Sequence, residues 1–184
     1  MHVIRSYWNS LNHNWKRILY KQWLYFVNKK QSLSVFLWDD SYGLDFLLCN
    51  LIGIESDNPE DDLISLNAYI DSRINEPDEK ILSEIFDMEF ITLDTSITFL
   101  SPLQNFRNLK IIDFHCTNES KITDFSILRR EETIYILDYT DYYLIDFDRY
   151  SNIRDIKNLV YIKDYGWPKE LNNILNCLSN YKIK

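Results

Sequence analysis

Among the side chains in this chain that could ligate a metal, attack a substrate or move a proton are three histidines, three cysteines and 28 carboxylates. Such chemistry needs short, fixed spacings, and those spacings are absent. His2, His13 and His115 sit in no H-E-x-x-H, H-x-E or C-x-x-C setting, and no G-x-S-x-G turn is present. Cys49, Cys116 and Cys177 are far apart, odd in number and without a C-x-x-C pair, which points to a reduced cytoplasm and to small buried apolar side chains. With only three glycines, a glycine-rich phosphate loop is excluded. Carboxylates pair densely in Asp138-Tyr139-Thr140-Asp141 and Asp146-Phe147-Asp148, but in so acidic a chain pairs arise by chance, and spacing alone sets no two of them across a cleft. The expectation is a protein that is not an enzyme and holds no metal and no cofactor.

A ladder of apolar residues carries more information. Leu109, Ile134 and Leu159 stand 25 residues apart, as do Ile112, Leu137 and Ile162. A repeat of this length is one supersecondary unit that cannot bury its own apolar face, so copies must stack and share a core. The runs Leu109-Lys110-Ile111-Ile112-Asp113-Phe114 and Ile134-Tyr135-Ile136-Leu137-Asp138-Tyr139 read as short strands. The triplets Ile97, Leu100 and Leu103, then Ile122, Phe125 and Leu128, then Leu144, Phe147 and Tyr150 read as helical or 3₁₀ returns.

Residues 85–162 thereby resemble a leucine-rich-repeat array, especially the bacterial kind that reads I-T-D-L-S-P-L-x-N-L-x-N-L-x-x-L-D. The stretches that carry the resemblance are Ile97-Thr98-Phe99-Leu100-Ser101-Pro102-Leu103-Gln104-Asn105-Phe106-Arg107-Asn108-Leu109 and Ile122-Thr123-Asp124-Phe125-Ser126-Ile127-Leu128. The copies at 134–158 and from 159 onward lack the Pro-Leu and Asn-Leu-x-Asn-Leu elements. The segment 8–18 is similar to the N-S-L-x-x-x-W-K stretch that precedes the repeats in some bacterial members. The resemblance implies an α/β fold: a short leucine-rich-repeat solenoid of parallel strands over 76–166, with an α-helical N-terminal capping region at 1–75 and a C-terminal capping helix at 167–184, all in one compact unit.

The N-terminal region supports helices on its own residues. Leu11, Trp15, Ile18 and Leu19 follow helical spacing, and Trp23 with Phe26 or Val27 extends the stripe. Apolar runs at 35–38 and 46–52 read as buried cap elements. Pro59 followed by Glu60, Asp61 and Asp62 is a helix start, with Leu63, Leu66 and Ile70 as its apolar face; Glu76-Pro77-Asp78-Glu79 repeats that signal before Ile81, Leu82 and Ile85. At the far end Pro168, Leu171, Ile174, Leu175 and Leu178 spell an amphipathic helix. No stretch approaches the roughly 18 uncharged apolar residues that cross a bilayer, since the most apolar N-terminal run, 18–27, contains Lys21 and Gln22. No small-residue cleavage site follows it, so a secretory signal is not expected.

Charge is uneven along the chain. Residues 1–38 carry Arg5, Lys16, Arg17, Lys21, Lys29 and Lys30 and no acid, which leaves all 28 acids against 14 of the 20 bases in the remainder, and a net charge of −8. An acidic surface repels nucleic acid and anionic lipid but attracts a basic protein; the basic N-terminal stretch reads as the solvated face of a helix. In the strand register one column, Phe90, Ile111, Ile136 and Tyr161, is expected to project onto the open face of the sheet, flanked by Thr92, Asp113, Asp138 and Lys163 and then by Asp94, His115 and Thr140. An apolar stripe rimmed by acids is what the centre of a protein interface needs. Two functional classes follow: an immunity or inhibitor protein that occupies a basic toxin or enzyme domain, or an adaptor or structural subunit of a larger bacterial assembly. Neither involves nucleic acid or membrane.

The absence of ligand spacing makes one expectation direct. Elemental analysis of protein purified without added metal should find no stoichiometric zinc; an equivalent of zinc per chain would overturn the reading of its histidines and cysteines.

Overall fold

The computed structural model describes residues 2–28, 43–93, 96–114, 126–128, 134–138 and 159–163. These fall into two compact units, one up to Ile85 and one from Phe86 onward.

The first unit is helical. Helix α1 (His2–Ser10) is followed by α2 (His13–Gln22), which starts where the Asn12 side chain accepts a hydrogen bond from the Trp15 N–H at 2.9 Å. Helix α2 runs directly into a wider π turn (Trp23–Asn28). Every residue of 18–26 is buried, Lys21 and Gln22 included. That stretch is enclosed by its neighbours: α2 with its π turn packs against α3 (Gly43–Ile52), while α2 also meets α4 (Pro59–Asp71).

The ends of these helices are set by local chemistry. Helix α3 stops at Gly53, whose φ of 73° puts it in the left-handed region. The Ile54 N–H then reaches the Cys49 carbonyl at 2.9 Å and the Gly53 N–H the Asn50 carbonyl at 3.4 Å, the paired bonds of a Schellman ending. Helix α4 begins with Asn58 accepting from the Glu60 N–H at 3.1 Å and Pro59 in the first turn. It buries Leu66 and Ile70. Helix α5 (Glu79–Phe86) begins with Asp78 accepting from the Ile81 N–H at 2.8 Å and buries Leu82 and Ile85. Between them, the Ile74 carbonyl accepts the indole N–H of the fully buried Trp8 at 2.9 Å, which ties α1 to the α4–α5 connection.

The second unit holds a parallel sheet of β1 (Phe90–Leu93), β2 (Ile111–Phe114), β3 (Ile134–Asp138) and β4 (Leu159–Lys163), paired in chain order. A 3₁₀ turn (Ser101–Asn105) follows β1 and a shorter one (Ser126–Leu128) follows β2. Ile97, Leu100, Leu103, Phe106 and Leu109 are all buried along the first connection, and the Phe86 and Phe106 rings meet at 5.1 Å between centroids.

The expected leucine-rich-repeat solenoid is corrected by this arrangement. The described residues are mixed and helix-rich, with helices of eight to thirteen residues against strands of four or five, and no solenoid of repeats is evident among them. A solenoid needs the same strand and the same return at one period. Here Phe90 pairs with Ile111, 21 residues on, Ile111 with Tyr135, 24 on, and Ile134 with Leu159, 25 on, while the two described returns differ in length, five residues and three. Only the last interval keeps the spacing of the apolar ladder. The runs 35–38, the third triplet and the C-terminal helix expected at 167–184 lie outside the described residues. Among the described residues, no helix is long and apolar enough to cross a membrane.

Because Trp8 donates its one hydrogen bond inside the core, Trp8→Phe leaves the Ile74 carbonyl unsatisfied and a gap beside it. The first unit should lose about 2 kcal/mol, read as a lower urea midpoint with an unchanged slope.

Candidate interaction surface

The sheet positions of the expected binding column are the first test of it. Phe90 and Ile111 are both fully buried, Asp113 is fully buried, and Thr92 is 7% exposed. All four residues of β1 are buried, as are Ile111, Ile112 and Asp113 of β2, so these strands are covered on both faces in the manner of parallel sheets. Phe90 and Ile111 are therefore core residues and offer nothing to a partner. Asp113 is likewise internal: the Thr92 hydroxyl donates to its Oδ2 at 3.1 Å. One residue before β1, Glu89 is also buried, and its carboxylate receives the Lys110 ammonium at 2.6 Å.

The column is broken in register as well. Phe90 pairs with Ile111 and Ile136 with Tyr161, but Ile111 stands opposite Tyr135, and Ile136 opposite Ile112. A one-residue slip between parallel strands separates the four into two pairs. The flanking row divides likewise, into Thr92 with Asp113 and Asp138 with Lys163. Asp94, His115 and Thr140 lie outside the described residues.

In the first unit, bases from the N-terminal helices meet acids from α3, α4 and α5. Arg5 Nε donates to Glu79 Oε1 at 3.1 Å, and Lys21 Nζ to the Asp45 carboxylate at 2.7 and 2.9 Å. Arg17 grips Asp71 with two donors, Nε to Oδ1 at 2.7 Å and Nη2 to Oδ2, while His13 Nε2 approaches the same carboxylate at 3.2 Å. The Trp23 indole N–H adds a bond to Glu84 at 2.8 Å. The solvated basic face expected of the N-terminal helix is in large part an internal clamp; Lys29 and Lys30 lie outside the described residues.

Burial pushes the Cys49 thiol up, and the Asp62 and Asp45 carboxylates push it further, so it stays a neutral thiol, close to the Asp62 carbonyl. No group of three or more His, Cys, Asp or Glu among the described residues could hold a metal. A recess of about 380 Å³ lined by Arg5, Asn9, Asn75, Glu76, Pro77 and Asp78 is polar, and the Arg5 side chain in its wall is already engaged by Glu79.

Arg73, Lys80 and Arg107 are exposed bases, whereas the surface around the start of α4 is acidic and partly apolar. Glu55, Asp57, Glu60 and Asp61 are exposed and, among the described residues, form no ion pair, while Leu63 is 40% and Ile64 66% exposed on the same helix, α4. Leu63 was expected on the buried face with Leu66 and Ile70; it sits at that face's edge instead. The sequence signal for this patch is the adjacent pair Leu63-Ile64, since neighbours on a helix diverge by about 100° and cannot both join a stripe centred on Leu66 and Ile70.

The Arg17 bonds, reinforced by the charges of Arg17, His13 and Lys21, hold the Asp71 carboxyl below its usual range against a smaller effect of burial. A depressed carboxylate adds stability above its unfolded value and loses it as pH falls through its folded one. Asp71 is 36% exposed, so screening keeps the effect near about 1 kcal/mol. Asp71→Asn should accordingly be less stable than wild type by that amount at neutral pH, and the gap in urea midpoint should close as pH falls through and below the ordinary carboxylate range.

Comparison with known proteins returned no matching family model, no matching curated protein and no matching solved structure.

Proposed function

We propose that this chain is a non-catalytic protein-interaction protein of the cytoplasm, an immunity or inhibitor type that binds and neutralises a basic toxin or enzyme domain. One observation supports this above the others. Arg5, Arg17, Lys21 and Lys110 are occupied by acids of their own unit, whereas Glu55, Asp57, Glu60 and Asp61 face outward with no ion pair among the described residues, on a chain of net charge −8. These acids give the start of α4 a locally negative field, on a chain whose net charge is −8. Such a field speeds encounter with a basic partner and disfavours phosphate-bearing ones.

The test is recovery of the partner from the native cell with tagged protein, followed by association kinetics on the purified pair. A basic partner should associate about tenfold or more slowly when salt rises from about 0.05 M to about 0.5 M, with a much smaller change in dissociation. A partner of neutral charge whose association ignores salt would replace this reading with that of an adaptor or structural subunit.

A further inference from the structure

From the outward face of α4 we infer a docking surface for a cationic amphipathic helix of the partner, seated on Leu63 and Ile64 and held at its rim by Glu60 and Asp61. This rests on the basic-partner reading above and gives it a place in the fold.

Helix α4 uses Leu66 and Ile70 to reach the core, and Ile64 lies on the far side of the helix from them. Scattered exposed apolar residues are ordinary on any surface. Here Leu63 and Ile64 stand about 100° apart on the exposed arc of the helix; Glu60, one turn before Ile64, lies between them, and Asp61, three residues before Ile64, lies on its other side, so Ile64 is flanked by both acids. Neither acid has a basic partner among the described residues; Asp61 receives only the Asn58 side-chain amide, at 3.3 Å. On the neighbouring helix, Phe46 is 38% exposed one turn before Cys49, whose thiol meets the Asp62 carbonyl.

Charge complementarity chooses the occupant. A second copy docked by two-fold symmetry would set Glu60 and Asp61 near their own equivalents, and like charges across an interface oppose contact. A lipid or nucleic acid surface would bring phosphates to the same acids. A helix carrying leucines on one face and lysines on either side satisfies both parts, and the thirteen residues of α4 span about 20 Å, room for three to four turns.

The probe is a labelled amphipathic peptide of about 14 leucines and lysines, its length chosen to match that span, compared by fluorescence anisotropy with a control of the same charge in which serine replaces leucine. Full-length protein should bind the leucine peptide about tenfold more tightly than the control. Leu63→Ser with Ile64→Ser should remove that preference, and Glu60→Gln with Asp61→Asn should weaken binding chiefly at low salt. Ile64→Glu serves as a second variant: its side chain is mostly solvent-exposed, so its melting curve should match wild type while its preference for the leucine peptide is lost. If wild type and both Ile64 variants bind the two peptides alike, the docking surface is wrong and the basic-partner reading stands. If wild type binds neither peptide, both fall. A concentration-dependent dimer dissolved by Ile64→Glu would assign the face to a second copy and overturn the inference.

Discussion

A helical stretch with no solvent-facing side must have its polar groups answered from within the protein, and that requirement organises the first unit. Residues 18–26 are such a stretch and include Lys21, whose nearly buried ammonium needs an acid within reach at the edge of the enclosure. Asp45 on α3 supplies it. Stripping water from an ammonium costs far more than one exposed ion pair returns, so Lys21 and α3 are bound to each other's position. Arg17 with Asp71 and Arg5 with Glu79 repeat the device on α4 and α5 in more solvated settings. Packing supplies most of the energy; the charges fix which acid-bearing helix stands beside which turn.

The sheet is governed by the same logic with fewer groups. Strands buried on both faces can hold a polar side chain only if its partner is buried with it, and Thr92 with Asp113 is such a pair on adjacent strands. Glu89 with Lys110 stands just ahead of it, where the Glu89 carbonyl also accepts from the Lys110 and Ile111 N–H groups. Polar residues that look like an interface rim in the linear sequence thus serve to register β1 against β2.

These internal pairings engage the N-terminal bases while leaving the net charge of −8 unchanged. Bases concentrated at the N-terminus look available to an external anion, but most of the described ones are spoken for within their own unit. The acids left outside cluster before and along the first turns of α4, where they also favour the positive end of the helix. Their place beside Leu63 and Ile64 combines a steering field with an apolar contact, the two ingredients that set association and dissociation rates respectively.

Local chemistry was legible in the sequence wherever its range is a single turn. Pro59 with its acids marked the start of α4, Pro77-Asp78 that of α5, and the spacing of Trp15, Ile18 and Leu19 marked α2, because caps and stripes act over three or four residues. The folding of those helices against one another was not legible, since Arg17 and Asp71 are 54 residues apart and Arg5 and Glu79 are 74 apart, and no periodicity links them. Ile112, Leu137 and Ile162 of the apolar ladder fall in β2, β3 and β4, but a repeat read at 25 residues cannot reveal a register of 21 and then 24, and the solenoid it implied is not there among the described residues. Nor can alternation along a strand tell whether its second face meets solvent or more protein. That depends on what the rest of the chain lays over it, which is why Phe90 and Ile111 read as an exposed stripe in one dimension and are core in three.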